Sequence, residues 1–208
     1  MISAADALRR LQVGNRRFVA GELSSDALAS PARRSAVVED QRPFAIILGC
    51  SDSRVPAEIV FDQGLGDLFV IRVAGNVVAP SQIGSVEFAT EWFGTRLVVV
   101  LGHSRCGAVL ATLDVLTGAS GHPSRNLRSI VDRVRPSVEP LLEAFGDSDR
   151  DGLVHRAVRA NVRAATNQLR HGSEQLEQLI LHGDLMIVGA EYSLDTGEVD
   201  FFEGVAES

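Results

Sequence analysis

The sequence predicts an α/β fold: a mainly parallel central sheet flanked by helices, with an antiparallel edge strand and an N-terminal helical arm. Two observations carry this prediction. Several short runs are apolar at nearly every position, which is typical of strands buried on both faces. Patterns of helical spacing lie between these runs, and such alternation is the signature of βαβ units. The expected parallel strands are 44–49, 68–73, 97–102 and 185–190.

The chain begins with a predicted helix, because residues 3–19 carry apolar side chains at helical spacing. Ser3 and Asp6 resemble a capping box at its start, and Gly21 is placed to end it. Residues 22–42 are polar and predict a linker. We therefore divide the chain into an arm with its linker, 1–42, and an α/β body, 43–208, within one domain overall.

The remaining elements follow from the same two periodicities. The final hairpin is indicated by the turn residues Asp195-Thr196-Gly197, which separate apolar segments at 190–192 and 199–202. It supplies the antiparallel edge strand. A helix break is expected near Gly172. The predicted helices of the body are 82–93, 106–116, 126–145 and 154–181.

Composition excludes several functional classes. The 208 residues are 45% hydrophobic and 23% charged, as in globular proteins. A net charge of −7 argues against nucleic-acid partners, which attract basic surfaces. No apolar run reaches the roughly 18 residues that a membrane span needs. The N-terminus has no apolar secretory segment, so we expect a cytoplasmic location and reduced thiols.

The chain has two cysteines, and each directly follows a predicted strand. Cys50 lies in Gly49-Cys50-Ser51-Asp52-Ser53-Arg54, and Cys106 lies in Gly102-His103-Ser104-Arg105-Cys106-Gly107. The carboxyl ends of parallel strands are where α/β sheets bind ligands. The thiols could be inert core residues, a disulfide, which the cytosol disfavours, or metal ligands. Two thiolates and an imidazole suit zinc.

Asp52 and Arg54 stand two residues apart beside this predicted site. Arg54 can hold the carboxylate bidentately and keep it ionised, so that Asp52 accepts a hydrogen bond from a zinc-bound hydroxide. If the pair breaks, Asp52 can itself become the fourth zinc ligand and close the site. An ordinary ion pair within a loop is the alternative interpretation.

These two segments match the patterns C-x-D-x-R and H-x-x-C, and in this the sequence resembles the β-class carbonic anhydrases. The resemblance covers roughly residues 8–203. Further similar segments are Gly14-Asn15-Arg16-Arg17-Phe18, Gln41-Arg42-Pro43, Arg72 with Gly75-Asn76, and Gly84-Ser85-Val86-Glu87-Phe88.

The resemblance implies that one Zn²⁺ per chain is held by Cys50, His103 and Cys106. It implies that Asp52 is the switchable fourth ligand and, with Arg54, the catalytic dyad. The implied reaction is the reversible hydration of carbon dioxide to bicarbonate and a proton. The substrate-binding positions that the resemblance implies are Gln41, Phe69, Ala74, Phe88 and Gly107. Valine is common in the family at the position of Ala74, and tyrosine at that of Phe88.

The resemblance also implies a homodimer, or a dimer of dimers, with the arm reaching across the interface; an arm helix that packs on its own chain is the alternative. Some family members are regulated by bicarbonate through a tryptophan, but Ile47 stands at that position here. No histidine is assigned as proton shuttle, because we expect the remaining ones on the surface or in helices: His122, His155, His171 and His182. The alternatives are a CS₂ or COS hydrolase on the same scaffold and a non-catalytic structural zinc module.

Overall fold

A computed structural model describes residues 2–24, 29–121, 123–146 and 149–205. Its strands are β1 (Ala45–Gly49), β2 (Leu68–Arg72), β3 (Leu97–His103), β4 (Met186–Tyr192) and β5 (Val199–Glu203). They form one sheet in the order β2-β1-β3-β4-β5. The first four strands are parallel, and β5 runs antiparallel to β4 at the edge. The predicted fold class is confirmed.

The helices flank this sheet. They are α1 (Ala4–Ala20), α2 (Pro31–Ala36), α3 (Ala57–Val60), α4 (Pro80–Trp92), α5 (Gly107–Leu116), α6 (Arg125–Phe145), α7 (Arg150–His171) and α8 (Glu174–Leu181). Helix α1 ends as predicted at Gly21, whose φ is +73°. The predicted break near Gly172 separates α7 from α8, and the Ser173 side chain caps α8 by accepting from the Leu176 N–H.

Within the part of the chain that the structure describes, three short helical elements were not predicted. Helix α2 lies inside the expected linker, where Ser30 caps it and proline occupies its first turn. Helix α3 and a 3₁₀ turn at Ala74–Asn76 are the others. Such elements have too few residues to show a helical period. Residues 25–28 of the expected linker lie outside the described part of the chain.

The core lies on both faces of the sheet. On one face α1 buries Ala7 and Leu11 in the same cluster as Ile47 of β1 and Val99 of β3. On the other, Val162 and other apolar residues of α7 pack against β1 and β3. Helix α1 therefore packs on the sheet of its own chain.

Asn15 fixes the position of α1 through a buried side-chain amide. Its Nδ2 donates to the carbonyl oxygens of Val60, at 3.2 Å, and Gly197, at 2.9 Å. Its Oδ1 accepts from the Val199 N–H at 2.9 Å. The amide thus joins α1 to α3 and to the turn between β4 and β5.

Within the described ranges, the structure has no helix that is both long enough and apolar enough to cross a membrane.

Candidate metal centre

Three side chains converge at the carboxyl ends of the parallel strands. Cys50 follows β1, His103 is the last residue of β3, and Cys106 is the N-cap residue of α5. Because β1 and β3 are direct neighbours in the sheet, their ends meet. The ligand atoms of the three side chains lie within 4.8 Å of one another, and all three residues are buried.

The imidazole of His103 is oriented by a backbone carbonyl. Its Nδ1 lies 2.9 Å from the carbonyl oxygen of Ser104, and a carbonyl can only accept, so Nδ1 carries the hydrogen. The Nε2 atom therefore keeps a free lone pair. Nε2 is buried and has no hydrogen-bond partner among the described residues. A buried, unpartnered nitrogen facing two sulfurs is what a metal ligand requires before the metal binds.

The two thiols differ in their electrostatic environment. A hydrogen bond from the Cys106 thiol lowers the pKa of Cys50, and the Gly75 N–H, 3.3 Å from the Cys50 sulfur, lowers it further. The same pairing raises the pKa of Cys106, because its deprotonation would place two negative sulfurs side by side. Neither cysteine forms a disulfide. The centre therefore holds one thiolate readily, and a divalent cation would stabilise the second.

This donor set fits zinc. Two cysteine sulfurs and one imidazole nitrogen are typical zinc ligands, and three protein ligands leave the fourth tetrahedral position for another group. The described residues therefore could hold a zinc ion with an open coordination position.

Asp52 is held tightly by Arg54 next to this centre. Its Oδ1 accepts from the backbone N–H of Arg54 at 3.0 Å and from Nε at 2.9 Å, and its Oδ2 accepts from Nη2 at 2.8 Å. These hydrogen bonds keep the pKa of Asp52 well below its ordinary value. Oδ2 lies 3.8 Å from the Nε2 atom of His103. An ionised carboxylate therefore borders the free side of the metal ligands.

Two residues whose roles were not predicted support this arrangement. Arg72, at the end of β2, donates from Nε to the Cys50 carbonyl at 3.0 Å and from Nη2 to the Asp52 carbonyl at 2.5 Å. Gly75 donates to the Cys50 sulfur from a backbone whose φ is +69°, which favours glycine. An arginine ending an apolar strand and a glycine just beyond it are the sequence signals that could have indicated these roles.

The predicted substrate-binding residues fall into two groups. Ala74 precedes Gly75, and Gly107 follows Cys106, so both lie beside the candidate centre. Gln41 instead precedes β1, whose five residues span about 16 Å. Gln41 therefore lies toward the amino ends of the parallel strands, and the structure does not bring it to the candidate metal centre of its own chain.

Phe69 and Phe88 belong to an aromatic patch that also includes Trp92 and Phe93. The Phe69 and Phe88 rings are 6.1 Å apart, and Phe88 stacks on Trp92 at 4.9 Å. Phe88 is 41% exposed and Trp92 66% exposed. A cleft of about 460 Å³ has Gln41, Trp92 and Phe93 in its lining. These residues share one surface, separate from the Cys50 centre.

The other histidines that the structure describes lie on helices or at a helix end, as expected. His155 and His171 of α7 have side chains 61% and 70% exposed. His182 is the exposed C-cap residue of α8. His122 lies outside the described residues.

Comparison with known proteins identifies the family. Residues 45–199 match the family model described as carbonic anhydrase. Carbonic anhydrase 2 of Mycobacterium tuberculosis is 42% identical over 193 residues, 92% of this chain and 89% of that protein. The carbonic anhydrase of Mycolicibacterium smegmatis is 42% identical over 194 residues, 93% of this chain and 91% of that protein.

Solved structures agree with this match. The β-carbonic anhydrase CcaA is 25% identical, with a TM-score of 0.73 over 97% of this chain and 94% of that chain. The β-carbonic anhydrase CafA of Aspergillus fumigatus shares the fold, with a TM-score of 0.75 at 24% identity over 94% of this chain and 90% of that chain. The chain therefore belongs to the β-carbonic anhydrase family of enzymes.

Proposed function

We propose that this chain binds one zinc ion through Cys50, His103 and Cys106 and hydrates carbon dioxide reversibly to bicarbonate and a proton. One observation carries the proposal. Three buried nitrogen and sulfur donors lie within 4.8 Å of one another, and the described residues give His103 Nε2 no hydrogen-bond partner. Membership of the carbonic anhydrase family supports the reaction.

A bound Zn²⁺ supplies Lewis acidity, which makes water a usable nucleophile near neutral pH. The chain's own residues set the electrostatics around it. Two thiolates balance the charge of the cation, and the N–H of Gly75 stabilises the sulfur of Cys50. Burial of all three ligands keeps competing water away from the sulfur and nitrogen atoms.

Asp52 and Arg54 are proposed as the catalytic dyad. Arg54 engages both carboxylate oxygens, so Asp52 is held as a fixed, ionised acceptor. Its Oδ2, 3.8 Å from His103 Nε2, is placed to accept a hydrogen bond from the attacking water and orient it toward carbon dioxide. The intact pair favours a site open to water. Breaking the pair would free Asp52 to act as the fourth ligand.

Two small residues are proposed to leave room for the substrate. A Cβ atom at Gly107 would meet no atom within 4 Å beyond its chain neighbours and the backbone of its own helix, and Ala74 has only a methyl group. Carbon dioxide is small and uncharged, so space and apolar contact suffice to admit it.

We further propose a homodimer in which the aromatic patch and Gln41 of one protomer face the metal centre of the other. The support is their location: within one chain they lie toward the amino ends of the parallel strands, whereas the metal centre lies at the carboxyl ends. Exposed Phe88 and Trp92 offer apolar area that a second copy would bury. Assembly into a dimer of dimers and a cytoplasmic location stay predictions.

The decisive experiment measures zinc content and carbon dioxide hydration on the same sample of the full chain. We expect one zinc per chain and hydration that rises between about pH 6 and pH 9. Asp52→Asn should keep its zinc but lose about 100-fold in turnover, as removal of a positioned hydrogen-bond acceptor does. Asp200→Asn, a change of the same kind at an exposed carboxylate of β5, should leave turnover unchanged.

The outcomes separate the alternatives. Zinc-bound protein that hydrolyses CS₂ or COS but does not hydrate carbon dioxide would be a hydrolase on the same scaffold. Zinc-bound protein with no turnover at any pH would be a structural zinc module. Full activity of Asp52→Asn would remove the dyad from the mechanism.

A further inference from the structure

Ser104 lies between two of the candidate metal ligands and uses every polar group it has. Its carbonyl oxygen accepts from His103 Nδ1 at 2.9 Å. Its N–H donates to the carbonyl of Tyr192 at 2.9 Å. Its hydroxyl oxygen accepts from the N–H of Leu194 at 3.0 Å. The residue that orients the His103 ring is therefore itself held at two points, by the last residue of β4 and by the segment that follows β4.

The segment that follows β4 is itself anchored by α1. The turn between β4 and β5 is bonded to Asn15 of α1 through the carbonyl of Gly197 and the N–H of Val199, both at 2.9 Å. Hydrogen bonds thus link α1 to the turn, the turn to Ser104, and Ser104 to His103. Each link joins groups that are partly buried.

We propose that Ser104 is a positioning residue for the metal centre: its hydroxyl fixes the peptide that orients His103 by binding it to the β4–β5 turn. The inference rests on the proposed zinc site. Groups that hold a metal-bound histidine from behind set its tautomer and ring orientation. Here that group is a backbone carbonyl, so its position depends on what else holds residue 104.

The backbone conformation of the next residue explains why the Ser104 hydroxyl bond is needed to hold this loop. Arg105, the next residue, has a φ of +55°, a left-handed conformation that costs energy in any residue with a side chain. The only ion pair found for Arg105 among the described residues joins it to Asp195 at 3.3 Å, and both side chains are more than half exposed. An exposed ion pair contributes little. The Ser104 hydroxyl is therefore the better anchor of this loop.

The test removes the hydroxyl and measures the metal rather than the reaction. Ser104→Ala should raise the dissociation constant for zinc by about tenfold, as measured by chelator competition. Tenfold is the lower end of the affinity loss found when a group that supports a metal ligand is removed. The visible spectrum of the cobalt-substituted protein should change in band position or intensity, because the imidazole no longer has one orientation. Ser193→Ala, which removes an exposed bond from the Thr196 N–H at 3.2 Å within the same turn, is the control and should leave the dissociation constant for zinc unchanged.

An isosteric pair keeps the test decisive if the alanine variant folds poorly. Ser104→Thr retains the hydroxyl and should restore zinc affinity and the cobalt spectrum. Ser104→Val has the same shape without the hydroxyl and should show the tenfold loss.

The outcomes also distinguish this inference from the proposed zinc site. If the unmodified protein binds no zinc, the proposed function fails. If it binds zinc and Ser104→Ala and Ser104→Val bind equally well, only the role of Ser104 is refuted. The same holds if Ser193→Ala loses as much affinity as Ser104→Ala, since the effect would then belong to the turn in general.

Discussion

Replacing Gly14 by alanine should push α1 away from the body of the protein and lower the free energy of unfolding. Gly14 faces α3, and a Cβ atom there would overlap the backbone oxygen of Phe61 and lie 2.8 Å from its carbonyl carbon. Real Cβ contacts do not come this close, and a backbone carbonyl cannot rotate away as a side chain can. Helix α1 would have to move outward by about 1 Å or more to reach ordinary contact distances.

The cost of that movement can be worked from the contacts of the next residue. Asn15 makes three hydrogen bonds of 2.9 to 3.2 Å to the body, and a shift of this size stretches them past bonding distance. Their loss costs about 1 kcal/mol each, and residual crowding adds about 1 kcal/mol. Alanine returns about 1 kcal/mol through its better helix propensity. The free energy of unfolding should fall by about 3 kcal/mol.

Thermal unfolding checks this prediction. For a chain of this size, about 3 kcal/mol corresponds to a decrease in Tm of roughly 6–12 °C. Val13→Ala, an exposed position on the same helix, should change the free energy of unfolding by less than about 0.5 kcal/mol. A Gly14→Ala protein as stable as the unmodified one would refute the close packing of α1 against α3, because helix propensity alone predicts stabilisation.

Three further predictions concern the site and the patch. In the metal-free protein, ultraviolet thiolate absorbance should rise in two steps, one below and one above the ordinary thiol pKa of about 8.5, because the pairing lowers the pKa of Cys50 and raises that of Cys106; coincident titrations would contradict the pairing. Arg54→Lys keeps the charge but loses the bidentate hold on Asp52, so turnover should fall roughly 10-fold or more with zinc retained; unchanged stopped-flow rates would exclude an orienting role. Trp92→Ala should raise the dimer dissociation constant in light scattering by about tenfold or more, as loss of an anchoring tryptophan does, and an unchanged constant would place the interface elsewhere.

The sheet was predictable because each parallel strand is buried on both faces. Runs such as 97–102 have no polar side chain to place in solvent, and this leaves few structures they can form. The strand bounds differ from the prediction by at most two residues; β4, for example, continues to Tyr192. Helix α3 escaped prediction because its four residues are too few to show a helical period and because its bond to Asn15 comes from α1, which is distant in the sequence.

The convergence of the candidate metal ligands was predictable from topology, and the contacts that support them were not. Cys50 and His103 end neighbouring parallel strands, so any sheet with this order places them together. The hold on His103 uses the backbone carbonyl of Ser104, and the Ser104 hydroxyl in turn accepts from a backbone N–H of the β4–β5 turn. Backbone groups are the same in every residue, so no sequence pattern identifies which of them meet.

The predicted site residues lie at both the carboxyl and the amino ends of the parallel strands, and this division leads to one more prediction. A molecule as small as carbon dioxide cannot contact Gly107 and Gln41 of the same chain across a strand of about 16 Å. Either Gln41 and the aromatic patch do not contact substrate, or they contact the substrate of a second protomer. In the second case dilution below the dimer dissociation constant should abolish turnover while each chain keeps its zinc, because the ligands come from one chain. Gln41→Ala should then reduce the turnover of the concentrated dimer without dissociating it. Constant activity per chain across that dilution would show instead that one protomer holds a complete site.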